Sequence, residues 1–446
     1  GVRGSVSTEK VAFVDRDSLN FRFDVTGAPV DGGEVELRGE VQPVEADGQT
    51  PAGKTKIDWA TNLFIRSDEA PLADILQFTL SSIDLATSES EVAVESGVVS
   101  GSMDMAFRHD EDIDYSGTIT AKDVTIETAL MPLPVENAAG QTQFQRNVWT
   151  VDRLSGDYGA IENVVAEGLI DFDNGYDLRA RKAGVSVEAF ANTVDLELPV
   201  PTEGVFNAIA SVNGSIANPE FSGTVTAATP VDVDKVTFER ATSNFFLQGN
   251  QLSLSDIAAT PTTGGSLTGN GQVSLTEGAP FTFQLAGRNL PALQLANLYD
   301  INPDFTLGLV SADAVVVGNS GDVTTTVDWD APNAQYPGSG TVDITNGTDL
   351  AFRDTVFAIG GGTASGSGSL IDELWDADVT FQNVQLNAFS EDLRGDVNGQ
   401  FQFSGTTADT RIGAIAAQGD ITYSDGLAAF SPQIDDFNSQ LVARGA

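Results

Sequence analysis

The strongest candidate for chemistry in this sequence is a lone histidine inside an acidic segment. His109, the only histidine, is followed by Asp110, Glu111, Asp112 and Asp114. A hydrolytic site needs a nucleophile with an oriented base, and a metal site needs several ligands in a fixed geometry. As a calcium loop, the segment lacks the glycine and the glutamate that such loops carry at their sixth and twelfth positions. We therefore predict an exposed acidic hairpin tip without a metal.

A second acidic segment, Asp171–Asp177, is more similar to the start of a calcium loop. Its centre, Asn174-Gly175, is however a dipeptide that favours a tight type I′ hairpin turn, as is Asn346-Gly347. The glycine runs at 264–265 and 360–362 are not phosphate-binding loops, because no lysine and no helix signal follow them. The sequence thus predicts no catalytic residue, no cofactor and no enzymatic activity.

The composition excludes several classes of partner. Acidic residues number 64 against 22 basic ones, and the formal net charge of −42 repels nucleic acid. The chain has no cysteine, which suits an oxidising compartment such as the periplasm. No apolar run is long enough for a membrane-spanning helix. We expect any inner-membrane anchor to lie outside this segment.

Strict alternation of polar and apolar residues is the dominant pattern. From Ser266 to Thr276 every polar side chain is at an even-numbered position, so polar residues share one parity. Phe281, Phe283 and Leu285 repeat the alternation in the next segment. Because a strand points successive side chains to opposite faces, each strand has one apolar and one polar face. Frequent turn residues between such runs predict antiparallel strands linked by hairpins.

The strand pattern repeats on a larger scale of about a hundred residues. No Gly/Ser-rich or Pro-rich linker separates the repeats, which favours one continuous structure over 1–446 rather than independent globular domains. The predicted approximate units are 1–98, 99–200, 201–305, 306–390 and a partial unit at 391–446.

Short segments with helical spacing interrupt the strands. We predict brief helical turns at Pro71–Leu76, Val187–Phe190, Pro291–Leu298 and Leu386–Phe389. They are too short to be stable alone, so we expect them to lie over the apolar face of the sheet.

A sheet with one bare apolar face must curl on itself, pack on a second sheet or bind an apolar partner. Small residues such as Gly269, Gly271, Ala208 and Ala210 interrupt the apolar face, and we interpret them as space left for hydrocarbon. The predicted fold is an all-β, elongated, curved antiparallel repeat sheet that forms a U-shaped hydrophobic groove, with a few short helical turns. The candidate groove-lining residues are Phe21, Phe23, Met103, Met105, Phe107, Phe206, Leu267, Val273, Leu275, Phe281, Phe283, Leu285, Phe401 and Phe403.

Three glycine-containing motifs carry a resemblance to a known family. Gly204–Val225 and Asn250–Val273 are similar to successive parts of the signature of TamB/AsmA-like proteins, and Gly361–Leu370 is a weaker copy. The resemblance implies a β-taco groove that holds phospholipid acyl chains in a periplasmic bridge between inner and outer membranes. It also implies an Omp85-type outer-membrane barrel as a partner in outer-membrane protein assembly.

Two functions are therefore open. The first is a non-enzymatic periplasmic lipid conduit that shields acyl chains in the apolar groove. The alternative is an extracellular β-repeat adhesin, or autotransporter-like passenger, with a dry core.

Overall fold

A computed structural model describes most of the chain. The described residues are 2–13, 17–29, 32–49, 55–71, 92–108, 113–128, 133–198, 200–299, 306–388, 395–407 and 416–424. The chain divides into two units, one of residues 1–194 with 207–223 and one of residues 195–206 with 224–446. The five-unit division from the repeat stays a prediction.

Long strands dominate the N-terminal part of the chain. Its strands are β1 (Val2–Ala12), β2 (Asp17–Gly27), β3 (Glu34–Gln49), β4 (Thr55–Pro71), β5 (Val92–Arg108), β6 (Asp114–Thr128), β7 (Val135–Gln145), β8 (Val148–Tyr158), β9 (Ile161–Asp171) and β10 (Gly175–Ser186). Helix α1 (Val187–Thr193) follows β10.

Strands of similar type form the remainder. They are β11 (Thr202–Glu203), β12 (Val205–Ser215), β13 (Asn218–Ala227), β14 (Val231–Val233), β15 (Val236–Gln248), β16 (Gln251–Pro261), β17 (Ser266–Ser274), β18 (Phe281–Pro291), β19 (Leu309–Gly318), β20 (Val323–Ala331), β21 (Gly338–Thr345), β22 (Asp349–Ile359), β23 (Gly362–Ile371), β24 (Leu374–Gln385), β25 (Asp396–Thr406) and β26 (Ala416–Ser424). Helix α2 (Ala292–Leu298) follows β18, and a 3₁₀ turn (Leu386–Ala388) follows β24.

The predicted all-β class is confirmed. Within the described residues, 26 strands belong to one open antiparallel sheet, in which successive strands are mostly hydrogen-bonded neighbours. The predicted helical turns after β10, β18 and β24 are confirmed as α1, α2 and the 3₁₀ turn. The fourth, Pro71–Leu76, lies outside the described residues after Pro71, the last residue of β4.

One of the two predicted type I′ turns is correct. Asn346 and Gly347 both have positive φ, and the Thr348 N–H donates to the Thr345 carbonyl, although the loop between the paired residues Thr345 and Asp349 has three residues. The prediction for Asn174-Gly175 is wrong, because only Gly175 of these two residues has positive φ; its loop, 172–174, also has three residues. A three-residue loop closed by a glycine bulge is the next commonest hairpin connection, so the dipeptide alone does not decide the turn type.

A series of β-bulges interrupts the strand registers in both units. Most of them place two residues opposite one on the neighbouring strand, as Gln382 and Asn383 lie opposite Asn398 between β24 and β25. Such bulges bend their strand. At many of the bulges one residue has φ in the left-handed region; these residues are Glu69, Asp123, Asn137, Asn163, Asp256, Asn289, Asp354 and Asn383.

The deepest burial directly follows these bulges. Ala70, Val124, Ala138 and Val384 each come immediately after a left-handed residue and are at most 2% exposed. In the first unit, Val124 and Ala138 form a small core with Val99. The bulges therefore fix both the bend of the strands and the position of the best-packed side chains.

The bulge at Asn383 gives a test of this arrangement. Replacing Asn383 by valine should reduce the free energy of unfolding by about 1–2 kcal/mol, because a left-handed backbone is strained for a residue with a branched Cβ. Asn383→Gly is the control and should be nearly neutral, since the Asn383 N–H still donates to Asn398 Oδ1 at 2.8 Å. Urea denaturation measures both, and equal stabilities of the two variants would contradict the role of the bulge.

Candidate functional site

The strand registers of the first unit align apolar residues into a continuous row. Residues that are direct antiparallel partners share a face of the sheet, so a chain of partners traces that face from strand to strand. The row across β1–β10 is Gly4, Val25, Leu37, Ile65, Met103, Gly117, Phe144, Trp149, Ile170 and Tyr176. It contains no charged residue.

The second unit has an equivalent row across β16–β26. Its members are Ile257, Gly269, Leu285, Ala314, Val327, Val342, Phe352, Gly368, Ala377, Phe403 and Ala417. In each unit we call the face that carries its row the apolar face, and the opposite one the polar face. The alternation in the sequence is thus converted by the register into a surface that is apolar across successive strands.

The structure brings most of the candidate lining residues into three groups. The first is on β2 and β5 (Phe21, Phe23, Met103, Met105 and Phe107), the second on the paired strands β17 and β18 (Leu267, Val273, Phe281, Phe283 and Leu285), and the third on β25 (Phe401 and Phe403). Phe206 is half-buried on β12, and Leu275 directly follows β17. Of the fourteen, Met103, Leu285 and Phe403 are members of the two rows. Each of the fourteen is half-buried or buried except Phe21, which is 37% exposed. Their role in binding stays a prediction.

The interpretation of glycines as open space is wrong where aromatic rings cover them. Gly271 is buried, and a Cβ there would overlap the ring of its partner Phe283. The same arrangement places the Trp375 ring over Gly405, where an added Cβ would lie 2.7 Å from ring atom Cζ2. The glycine lets a large ring of the adjacent strand lie flat on the sheet, so it permits packing rather than leaving a gap.

Aromatic contacts extend along the apolar face. The rings of Phe144 and Trp149 stack with centroids 5.3 Å apart, and Phe401 contacts Phe403 at 5.8 Å. Aromatic pairs at such distances contribute about 0.5–1.5 kcal/mol beyond their buried area.

Burial on the apolar face is partial. Phe352, a member of the second row, and its neighbour on the face, Phe357, are each 38% exposed. Among the described residues, Val124 is the largest side chain that is fully buried. A dry core between two sheets would bury many large side chains completely.

The polar face is held by cross-strand ion pairs and hydrogen bonds. Asp343 on β21 accepts from Arg353 Nε at 2.7 Å and Nη2 at 3.0 Å on β22, and from Thr326 Oγ1 at 2.6 Å on β20. The bonds from Arg353, with that from Thr326, lower the pKa of Asp343 to about 2. One carboxylate therefore connects three strands.

The acidic segments do not form a metal centre in the described residues. His109, Asp110, Glu111 and Asp112 lie outside them, while Asp114 pairs with Arg146 at 2.8 Å. No group of three metal-ligating side chains occurs in the part of the chain that the structure describes.

The carboxylate of Asp171 is engaged by its own hairpin loop. Its Oδ1 accepts from the N–H groups of Asp173 and Asn174, and its Oδ2 accepts from Asn174 Nδ2 at 2.7 Å. The Asn174 side chain and these backbone bonds lower the pKa of Asp171. The carboxylate thus stabilises the turn.

A cavity of about 610 Å³ lies in the first unit and is lined by residues of β1–β6 from both faces of the strands, among them Phe23, Leu63 and Met105. Its charged lining residues Arg22 and Arg38 pair with Glu40 at 3.0 Å and with Asp24 at 3.4 Å. The cavity was not predicted from the sequence, because alternation identifies which residues share a face but not which face is concave.

Neither short helix of the described residues has the length or the apolar character that a membrane crossing requires. Comparison with known proteins found no matching family model, no matching curated protein and no matching solved structure.

The motifs that resemble TamB/AsmA-like proteins lie on hairpins. Gly204–Val225 covers β12 and most of β13, and Asn250–Val273 covers β16 and most of β17. Gly264 and Gly265 have positive φ and make the turn between β16 and β17.

The covered glycines yield a packing prediction. Gly271→Ala should destabilise the protein by about 1–3 kcal/mol, because the new methyl group meets the Phe283 ring in a packed site. In a Phe283→Leu background the same substitution should cost clearly less, since the ring is gone. A double-mutant cycle on the free energy of unfolding measures this coupling, and additive effects would refute the contact.

The ion pair at Asp343 yields a pH prediction. The lowered pKa means that ionised Asp343 contributes stability fully above its ordinary pKa of about 3.9, and that this contribution is lost as the pH falls towards about 2. Arg353→Met should raise the Asp343 pKa towards the ordinary value and shift acid unfolding to higher pH. Carboxyl NMR titration checks this; an unchanged midpoint in the variant would contradict the assigned cause.

Proposed function

We propose that this chain is a non-enzymatic lipid conduit, whose apolar face binds acyl chains while polar head groups stay in water. One observation carries the proposal: the uncharged row from Ile257 to Ala417 crosses β16–β26 on a face that is only partly buried. The described strands all belong to one sheet. Hydrocarbon is the chemical class that suits an uncharged, partly exposed face of aliphatic and aromatic side chains.

The energetics suit transport. Each methylene group moved from water to an apolar site contributes about 0.8 kcal/mol. Because each row remains apolar over many strands, a chain that slides along it exchanges one set of equivalent contacts for another. The binding free energy then changes little with position, and the row by itself sets no direction of flow.

A groove on this face requires bent strands. The bulges bend strands of both units at residues such as Asp123 and Asp354. Strands bent towards the apolar face would enclose acyl chains in a U-shaped groove.

The wider setting rests on the motif resemblance alone. The resemblance of Gly204–Val225 and Asn250–Val273 to TamB/AsmA-like proteins supports a periplasmic location and phospholipid as the cargo. It also supports contacts with the inner and outer membranes through other regions, and an Omp85-type partner.

The adhesin alternative receives less support. A dry β-core requires many fully buried large side chains, whereas the largest fully buried side chain in the described residues is that of Val124. In the segment most similar to a calcium loop, the carboxylate of Asp171 is already engaged by its own turn.

Adjacent valines on β19 give a matched test. Val316 is half-buried and pairs with Phe283, whereas Val315 is 44% exposed on the polar face. Val316→Asp should reduce binding of a dioleoyl phospholipid by about tenfold or more, because the acyl chain would then desolvate a carboxylate. Val315→Asp adds the same charge one residue away and should bind like the wild type.

Binding is measured by native mass spectrometry and by titration with fluorescent lipid, and circular dichroism checks that both variants fold. Equal lipid binding by folded Val316→Asp and wild-type protein would argue against the proposal, as would a wild-type protein that binds no lipid.

A further inference from the structure

All four tryptophans of the chain lie on the apolar face. Trp149 is a member of the first row, and Trp59 lies on β4 six residues before the row member Ile65, with an unbroken register between them. Trp329 and Trp375 each lie two residues from a member of the second row. An even spacing along a regular strand places a side chain on the same face.

The four indole rings pack on aromatic or glycine neighbours. Trp149 stacks on Phe144, Trp59 lies 6.5 Å from Phe21, and Trp329 lies 5.7 Å from Phe357. Trp375 covers Gly405. Trp59 is 42% exposed and the other three are half-buried.

None of the four indole N–H groups donates a hydrogen bond to another group within the described residues. An indole N–H that is removed from water without an acceptor is unfavourable, and buried tryptophans usually find one. If pure hydrocarbon covered the apolar face, these N–H groups would lose their hydrogen bonds to water and gain no other acceptor. A ligand that brings its own acceptor among its apolar groups would satisfy them.

We propose that the tryptophans of the apolar face, Trp149 foremost, select acyl lipids through ester carbonyl groups, which accept hydrogen bonds from the indole N–H. This inference rests on the proposed lipid-binding function and specifies its ligand as an ester-linked lipid. The ester lies between the acyl chains and the head group, so the tryptophans mark the depth at which the head group leaves the apolar face. The apolar rows remain the source of most of the affinity.

A pair of matched lipids separates the preference for an ester from lipid binding itself. Dioleoyl phosphatidylcholine and its diether analogue have the same head group and the same chains, but the analogue lacks the carbonyl oxygens. The wild-type protein should bind the diester about two- to tenfold more tightly, the range that corresponds to the loss of one hydrogen bond. Trp149→Phe keeps a ring but removes the donor, and should reduce the ratio of diester to diether affinity towards one.

The failures are distinguishable. Equal binding of diester and diether by the wild type, or an undiminished preference in Trp149→Phe and in the matched Trp375→Phe variant, would overturn the ester assignment alone. Absence of binding of either lipid would overturn the proposed function itself. Near-ultraviolet circular dichroism establishes that the phenylalanine variants keep their aromatic packing.

Discussion

The structure depends on a cross-strand register that keeps apolar residues opposite apolar residues. Because side chains alternate with a period of two, a slip of one residue in any strand would move its apolar set to the other face. The row from Gly4 to Tyr176 in the first unit, and that from Ile257 to Ala417 in the second, both require that no such slip occurs. The polar face helps to fix the register through specific cross-strand contacts, such as those of Asp343 with Arg353 and Thr326.

The bulges and the aromatic–glycine pairs solve two problems of a sheet with a partly open apolar face. A bulge adds one residue to its strand, so the apolar residues beyond the bend return to the same face after a spacing of three instead of two. In β16, the next residue on the apolar face after Leu254 is Ile257 rather than residue 256. A glycine opposite an aromatic residue, such as Gly271 opposite Phe283, lets the ring cover the backbone of the neighbouring strand. Both devices place well-packed residues on the face without a second sheet.

Much of the fold could be predicted from alternation and turn residues. The all-β class, the antiparallel hairpins, three of the helical turns and the turn at Asn346-Gly347 follow from local patterns. The bulges were missed although the sequence carries their signal, a spacing of three between apolar residues around an Asp or Asn, as in Ala121–Val124 around Asp123. The role of Gly271 was misread because its environment comes from Phe283 on another strand, and alternation within one strand contains no information on which residues become partners.

The candidate site was predicted in part. Parity identified residues such as Phe283 and Phe403 as members of one face, but not the rows that connect them, because registers depend on turn lengths and bulges throughout the chain. The tryptophans were not singled out, although each occupies an apolar-parity position. The apolar character of the face comes from all the residues along the rows, and no single residue determines it.

The central claim is that acyl chains lie on the apolar face. Its most direct test is photo-crosslinking of the wild-type protein with a phospholipid that carries a diazirine in one acyl chain, followed by mapping of the labelled residues by mass spectrometry. The account predicts labels at row members such as Val327 and Val342, and few at their polar-face neighbours such as Asp328 and Asp343. Labels spread equally over both faces, or confined to the polar face, would contradict it.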